Sequence, residues 1–390
     1  MQRTAVYWLV YEQTKSAFVL GIAVFCAQFP SFLLSILGGV VSDRYNRFRV
    51  LLATQIASLL QAAILSALVL SNNYAVWQIL SLSVVLGCIN AFDVPARQAL
   101  IYDMIDNKEN LPNAIALNSS MVNGARLIGP AISGIVLEKF GAEVCFMSNG
   151  VSFVAVIASL LLMKLPAFVP RERIASVVHD LKEGFHYLRT TPKISNVMLM
   201  LACVSFMSLP YVTLLPIYAR DIFSGSATTF GLLNSFVGIG AVSGALFLAS
   251  LKTGTNLRKV LFRCTLVFSA GLMVFAYMRS FPVALLCIAI TGFGMMAQTT
   301  ISNTIIQTTV APTMRGRVIS YYAMAFFGMQ PLGGLLIGLV SKWIGTPNTM
   351  LAGGLIALLI GILHLRFLRK ERLKKQQDIN VTEQESLHMA

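Results

Sequence analysis

Residues 38–52 read GGVVSDRYNRFRVLL, one acid and three arginines set between two long apolar runs. The chain has 390 residues, of which 56% are hydrophobic and only 12% charged, so a charge cluster marks a boundary. Mean hydropathy is +0.73. The runs on either side approach the roughly 20 apolar residues that an α-helix needs to span a bilayer's hydrocarbon core. The cluster therefore reads as a short loop joining two crossings, and the chain as an all-α polytopic membrane protein.

The same reading extended outward places spans near 17–41, 48–71, 76–97, 113–138, 144–165, 195–219, 229–251, 258–278, 281–304, 317–341 and 347–368. These are eleven full transmembrane helices. Before them, residues 1–16 (MQRTAVYWLVYEQTKS) hold one apolar stretch, Thr4 to Tyr11, half the length of a crossing. Counted as a partial first helix, it completes two six-helix bundles related by pseudo-two-fold symmetry, 1–165 and 195–368. Met1 and Arg3 then fall near mid-membrane, where a charge is costly, and a missing upstream segment is expected.

A duplication underlies the two halves. Gly124, Gly129, Gly134 and Gly141 recur as Gly328, Gly333, Gly338 and Gly345, each displaced by 204 residues. Between the halves, in the linker 166–194, residues 171–190 (RERIASVVHDLKEGFHYLRT) carry Ile174, Val177, Val178, Leu181, Phe185 and Leu188 at helical spacing. They predict an amphipathic helix lying on the membrane surface. From Arg369 to Ala390 the chain is charged and Gln-rich, and a disordered tail is expected.

The net charge of +14 follows topology. With the loop after 17–41 in the cytoplasm, most Lys and Arg fall on that side, including Arg44, Arg47, Arg49, Arg315 and Arg317. Only Lys15, Lys139, Arg220, Arg279 and Lys342 lie outside. The positive-inside rule thus places the C-terminus in the cytoplasm and removes nucleic acid as a partner. The six cysteines lie singly in or beside helices and suit packing. No histidine pair has metal-ligand spacing, no Gly-rich phosphate loop occurs, and the Thr4 to Tyr11 stretch, with no small-residue cleavage site after it, is not expected to be a signal peptide. Neither metal nor cofactor is expected.

With these features in place, GGVVSDRYNRFRVLL resembles the loop 2-3 signature of the major facilitator superfamily through Gly39, Asp43, Arg44 and Arg47. Asn46 stands where a glycine is usual and is expected to keep the turn by tolerating positive φ. The resemblance implies a conformational latch: Asp43 against the positive N-terminal end of the span 317–341, with Gly39 allowing close backbone approach. AFDVPARQAL, NAIALNSSMVNGARLIGPAISG and RGRVISYYAMAFFGMQPLGG together resemble the branch that contains the enterobactin exporter and macrolide-efflux proteins. Gly124, Gly129, Pro130, Ser133 and Gly134 resemble the motif that exporters working as antiporters carry in their fifth helix.

Further candidates come from polar residues inside spans. Asp93 and Arg97 stand four apart in the favourable order for a helical ion pair. Arg126 is a second intramembrane base that requires a partner, in a shared structural network or in proton coupling, and Glu12 is either a coupling carboxylate or an interfacial residue. Gln298, Asn303 and Gln307 form a polar stripe. With Gln28, Asn90, Asn123 and Tyr211 they either line the substrate path or bond between helices.

The reading is a secondary transporter of a bacterial inner membrane, working as a monomer within the lipid bilayer. It exports a small amphipathic molecule, such as a drug, macrolide or siderophore, against protons by alternating access. A lipid or lysolipid flippase and a non-transporting relative are the alternatives. A membrane enzyme would need clustered acids, bases or nucleophiles that the spans lack.

Overall fold

The structure, a computed structural model, describes residues 1–105, 108–163, 177–252 and 254–388. Its helices are α1 (Gln2–Thr14), α2 (Ala17–Arg44), α3 (Arg47–Leu70), α4 (Val76–Asp103) and α5 (Leu111–Leu162). After the surface helix α6 (Val177–Thr190) come α7 (Pro192–Ile222), α8 (Ala227–Ala249) and α9 (Leu257–Ala276). The chain ends with α10 (Phe281–Thr309), α11 (Arg315–Ile344) and α12 (Thr346–His388). Among the described residues, ten helices are long and apolar enough to cross a membrane.

The ten helices contain the eleven expected crossings because α5 holds two. Its backbone reverses at Gly141, with φ 86° and ψ 172°, a conformation that side-chain-bearing residues avoid. Gly345 occupies the corresponding position of the second half, between α11 and α12, with φ 81° and ψ 158°. The glycine repeat thus encodes the same tight reversal twice.

The repeat also shapes the contact between the bundles. A Cβ on Gly134 of α5 would stand 2.6 Å from the carbonyl oxygen of Ala227 in α8, and one on Gly338 of α11 equally close to that of Ala17 in α2. Reciprocally, a Cβ on Gly231 would meet the Pro130 carbonyl oxygen at 2.5 Å, and one on Gly21 the Gly334 oxygen at 2.6 Å. Pro130 and Gly334 are again 204 residues apart. The α5–α8 and α2–α11 crossings are therefore two copies of one backbone-to-backbone contact, which only glycine permits.

Both crossings lie toward the end of the molecule that carries Gly141 and Gly345. Deeper in, Gly238 still approaches Leu127, and Gly328 the Phe32 ring. Beyond them, toward the arginine cluster, the bundles part. Leu33, Ile36 and Leu37 of α2 are exposed, and Gly39, Gly124 and Gly316 have no neighbouring atom within 4 Å of a Cβ position. The molecule has one closed end and one open, basic end.

Two local expectations change. Asn46 has φ −59°, so the 2-3 turn does not use positive φ. Instead the Asn46 side chain caps α3, accepting from the amides of Phe48 (3.0 Å) and Arg49 (3.3 Å). Gly38 presses its backbone on Ala91 of α4 within the first bundle, a contact separate from the one expected of Gly39. The tail expected to be disordered from Arg369 continues α12 to His388, as its Lys, Gln, Glu and Leu content favours. The amphipathic linker forms a helix from Val177, while Ile174 lies outside the described residues.

Candidate functional site

The closed end is held by polar contacts between the two bundles. At the end of α1, the Tyr11 hydroxyl donates to the Asp221 carboxylate, and Glu12 pairs with Arg220 at 3.2 Å and with Lys15 at 3.5 Å. Arg220 and Asp221 sit in a wide π turn, residues 218–222, that closes α7. Such an insertion re-aims consecutive side chains, and here both face α1. On the other flank Glu138 of α5 accepts from the Ser226 hydroxyl and, at 3.2 Å, from the amide of Thr228 in the first turn of α8. A carboxylate at that position also meets the positive end of the helix.

Glu12 is thus placed in an inter-bundle lock, with partners that the sequence reading did not identify. The available signal was weak: Arg220 and Asp221 stand in the loop after one apolar span and Glu12 and Lys15 after another, and only the fold pairs them.

The antiporter-like motif belongs to the same closed end. Pro130 and Gly134 form the α5–α8 crossing, and Ser133, fully buried, donates to the Met1 carbonyl at 3.1 Å and so fastens α1 to α5. Next to it, Gln2 donates to Gln61 at 2.8 Å, Asn149 donates to Gln2 at 2.6 Å, and Gln61 donates to the Leu82 carbonyl at 3.1 Å. This buried amide chain ties α1, α3, α4 and the second crossing of α5, and it too went unread in the sequence. Gly124 and Gly129 make no close approach.

At the basic end, Asp43 is half-buried, Arg44 is exposed and Arg47 is buried with its Nε donating to the Ser42 carbonyl at 3.3 Å. The start of α11 carries its own cluster. Arg317 pairs with Glu183 of α6 at 2.9 Å, and the rings of Phe185 and Tyr321 lie 6.3 Å apart, so the linker helix docks on the second bundle.

Asp93 and Arg97 form the expected ion pair at 2.7 Å. Asp93 is buried and also accepts from Thr54 (3.0 Å) and Gln55 (2.6 Å) of α3. Arg126 is not part of this network. Its side chain is exposed and makes no ion pair among the described residues. The reason is geometric: Asp93 faces α3, inside the first bundle, whereas Arg126 flanks the α5–α8 crossing.

The polar stripe divides in the same way. Gln298 is fully buried with neither amide atom bonded. Four and seven residues earlier, Gly294 and Thr291 press on Phe268 and Gly271, so this face of α10 packs against α9 rather than a path. Tyr211 is likewise buried, its ring 6.1 Å from Phe268 and its hydroxyl unpaired. Asn303 and Gln307 bond to each other at 2.9 Å and stay half-exposed, as do Gln28, Asn90 and Asn123.

A closed end, an open end and a two-fold helical repeat are what alternating access requires, and similarity to known proteins decides the identity. The family profile described as transmembrane secretion effector matches residues 1–389. The chain belongs to this family. It is a major facilitator superfamily transporter, not an enzyme. The staphyloferrin A transporter of Staphylococcus aureus is 28% identical, with 95% of this chain and 92% of that protein aligned. The enterobactin exporter of Escherichia coli O1:K1 / APEC is 25% identical over 97% and 90%, and macrolide efflux protein A of Streptococcus pyogenes 20% over 93% and 90%. Among solved structures, a bacterial homologue of the human lysosomal transporter Spinster, inward-facing and unoccupied, superposes with a TM-score of 0.72. Its identity is 15%, with 95% of this chain and 94% of that one covered. A D-xylose–proton symporter gives 0.72 at 13% identity and 93% of each chain, so these likenesses concern the fold.

Proposed function

We propose that this transporter exports a small amphipathic molecule from the cytoplasm across a bacterial inner membrane in exchange for protons, as a monomer. The observation that carries this reading is the asymmetry of the two ends. With the basic end and the C-terminus assigned to the cytoplasm by the positive-inside rule, the gap between the bundles opens inward, where an exporter loads. The names of the relatives, which cover siderophore, macrolide and multidrug efflux, support export of this substrate class.

In the opposite state the closed-end lock releases and the basic end shuts. Gly39 and the Asp43 carboxylate then meet the first turn of α11, where the helix dipole stabilises an acid. Asp93, held by three residues, serves structure, which leaves Glu12 as the carboxylate better placed to exchange protons with the outside.

The test uses everted membrane vesicles energised by respiration and a panel of amphipathic dyes, macrolides and catecholate siderophores. Uphill uptake that a protonophore collapses and Asp43→Asn slows several-fold is expected. Uptake that survives the protonophore removes proton coupling, and no uptake of any probe removes export of this class.

A further inference from the structure

The helix α10 holds no charged residue, yet toward the open end it becomes polar, residues 298–309 reading QTTISNTIIQTT. The neighbouring segments there are basic, with Lys252 after α8, Arg258 and Lys259 on the first turn of α9, and Arg315 and Arg317 opening α11. Counting about 100° per residue, Ala297, which backs onto Gly244 of α8, lies about 60° to one side of Thr300. Thr299, whose carbonyl accepts from the Tyr322 hydroxyl of α11 at 3.3 Å, lies about 100° to the other side. Asn303, Thr304 and Gln307 fall with Thr300 inside that sector, and all four are at least half-exposed. Since α8 and α11 are the helices that cross α5 and α2, the sector between them faces the first bundle across the gap.

The bonds within this stretch fix what it offers. Thr304 gives its hydroxyl hydrogen to the Thr300 carbonyl at 3.0 Å, which leaves its oxygen as an acceptor. Gln307 donates to the Asn303 side-chain carbonyl at 2.9 Å, so the Gln307 carbonyl is left to accept and the Asn303 amide hydrogens to donate. The Thr300 hydroxyl, without a bond among the described residues, does either. Neutral donors and acceptors are thus set side by side over about 10 Å of helix. An anion meets no base on α10 and an ammonium no acid, whereas a hydroxyl group, which both donates and accepts, satisfies each position. In the same sector, one and two turns deeper, half-exposed Met296 and Phe293 present an apolar surface.

We infer that Thr300, Asn303, Thr304 and Gln307 form a loading site at the mouth of the gap for an uncharged, hydroxyl-rich group, a sugar or polyol, and that the exported molecule carries this group on an apolar body. This rests on the export reading and narrows it. The hydroxyl end stays toward the open end while the apolar body lies on Met296 and Phe293, so the helix orients the substrate as it enters. Each helix that frames the site, α8, α10 and α11, belongs to the second bundle.

The full chain in phosphatidylcholine nanodiscs is titrated with methylumbelliferyl maltoside, a neutral sugar on an apolar ring, and with methoxymethylcoumarin, the same ring without the sugar, read by fluorescence anisotropy. The maltoside is expected to bind the more tightly. Thr300→Val with Thr304→Val should weaken it about tenfold at an unchanged thermal midpoint and leave the coumarin unaffected. Thr300→Ser with Thr304→Ser keeps both hydroxyls and should retain wild-type binding, as should Thr299→Val, which lies outside the sector. Equal affinity for the two probes, no effect of the double valine variant, an equal loss from Thr299→Val, or no binding of the maltoside overturns the site. Glucosyl diacylglycerol in the discs separates the sources of the sugar: displacement of the maltoside assigns it to a lipid headgroup, none to a soluble glycoside, and the site stands in both. Everted vesicles separate the two readings: sugar-selective binding without uptake of any probe sinks export and leaves the site standing, whereas energised uptake of the cation ethidium alone does the reverse.

Discussion

Asp93 shows how one residue's role is decided by what surrounds it. Its carboxylate is buried and accepts from Thr54, Gln55 and Arg97, so its lone pairs are occupied by the helix beside it. Removing the carboxylate leaves the buried Gln55 amide without its acceptor, at a cost of about 1–3 kcal/mol. Asp93→Leu should therefore lower the thermal midpoint of the purified protein by several degrees. Arg97→Ala should lower it less, because the Arg97 side chain is 51% exposed and water replaces part of the interaction. Differential scanning fluorimetry checks this; a variant at position 93 as stable as wild type would argue for a coupling role instead. The i,i+4 spacing made the Asp93–Arg97 pair legible in the sequence. Thr54 and Gln55 were not legible, because they come from another helix and spacing along one helix carries no information about its neighbour. The same limit explains Gln298. Its polarity is visible in the sequence, but which face of α10 meets α9 depends on packing.

At the scale of the helix, the four-glycine repeat was the most informative feature of the sequence, since irregular intervals copied at one offset fix both the duplication and its register. It did not reveal which glycines touch what. Gly38 presses on α4 within one bundle, whereas Gly21 and Gly231 press across the two bundles at the closed end. These classes predict different phenotypes. Gly38→Ala forces α2 away from α4 in every conformation and should lower thermal stability. Gly21→Ala and Gly231→Ala strain only the closed-end crossing, so they should leave stability nearly unchanged and favour the state in which that end is open. Hydrogen exchange over residues 10–16 and 218–227 reports the difference, with faster exchange expected for the latter two variants. Equal protection in all three variants would mean that the crossings are too pliable to act as gates.

For the molecule as a whole, the question is what holds one end shut while the other stands open. The lock consists of Tyr11–Asp221, Glu12–Arg220 and Glu138 on the start of α8, together with the two glycine crossings. Glu12 and Arg220 are about 40% exposed at their side chains, so their ion pair contributes about 0–1 kcal/mol and is screened by salt. A weak pair suits a transporter, because the two states must lie within a few kcal/mol for the cycle to turn over. Reversing one charge converts a small attraction into repulsion from Asp221 and Glu12 together, and Arg220→Glu should shift the population toward closed-end opening several-fold. The double variant Glu12→Arg with Arg220→Glu restores opposite signs and should recover most of the closed population. Pulsed electron paramagnetic resonance between labels at Asn72 and Lys342, both exposed near the closed end, measures it in a background with the six native cysteines replaced. A longer distance in the single variant that shortens again in the double places control of the closed end in this pair. Identical distances throughout would transfer that control to the glycine crossings alone.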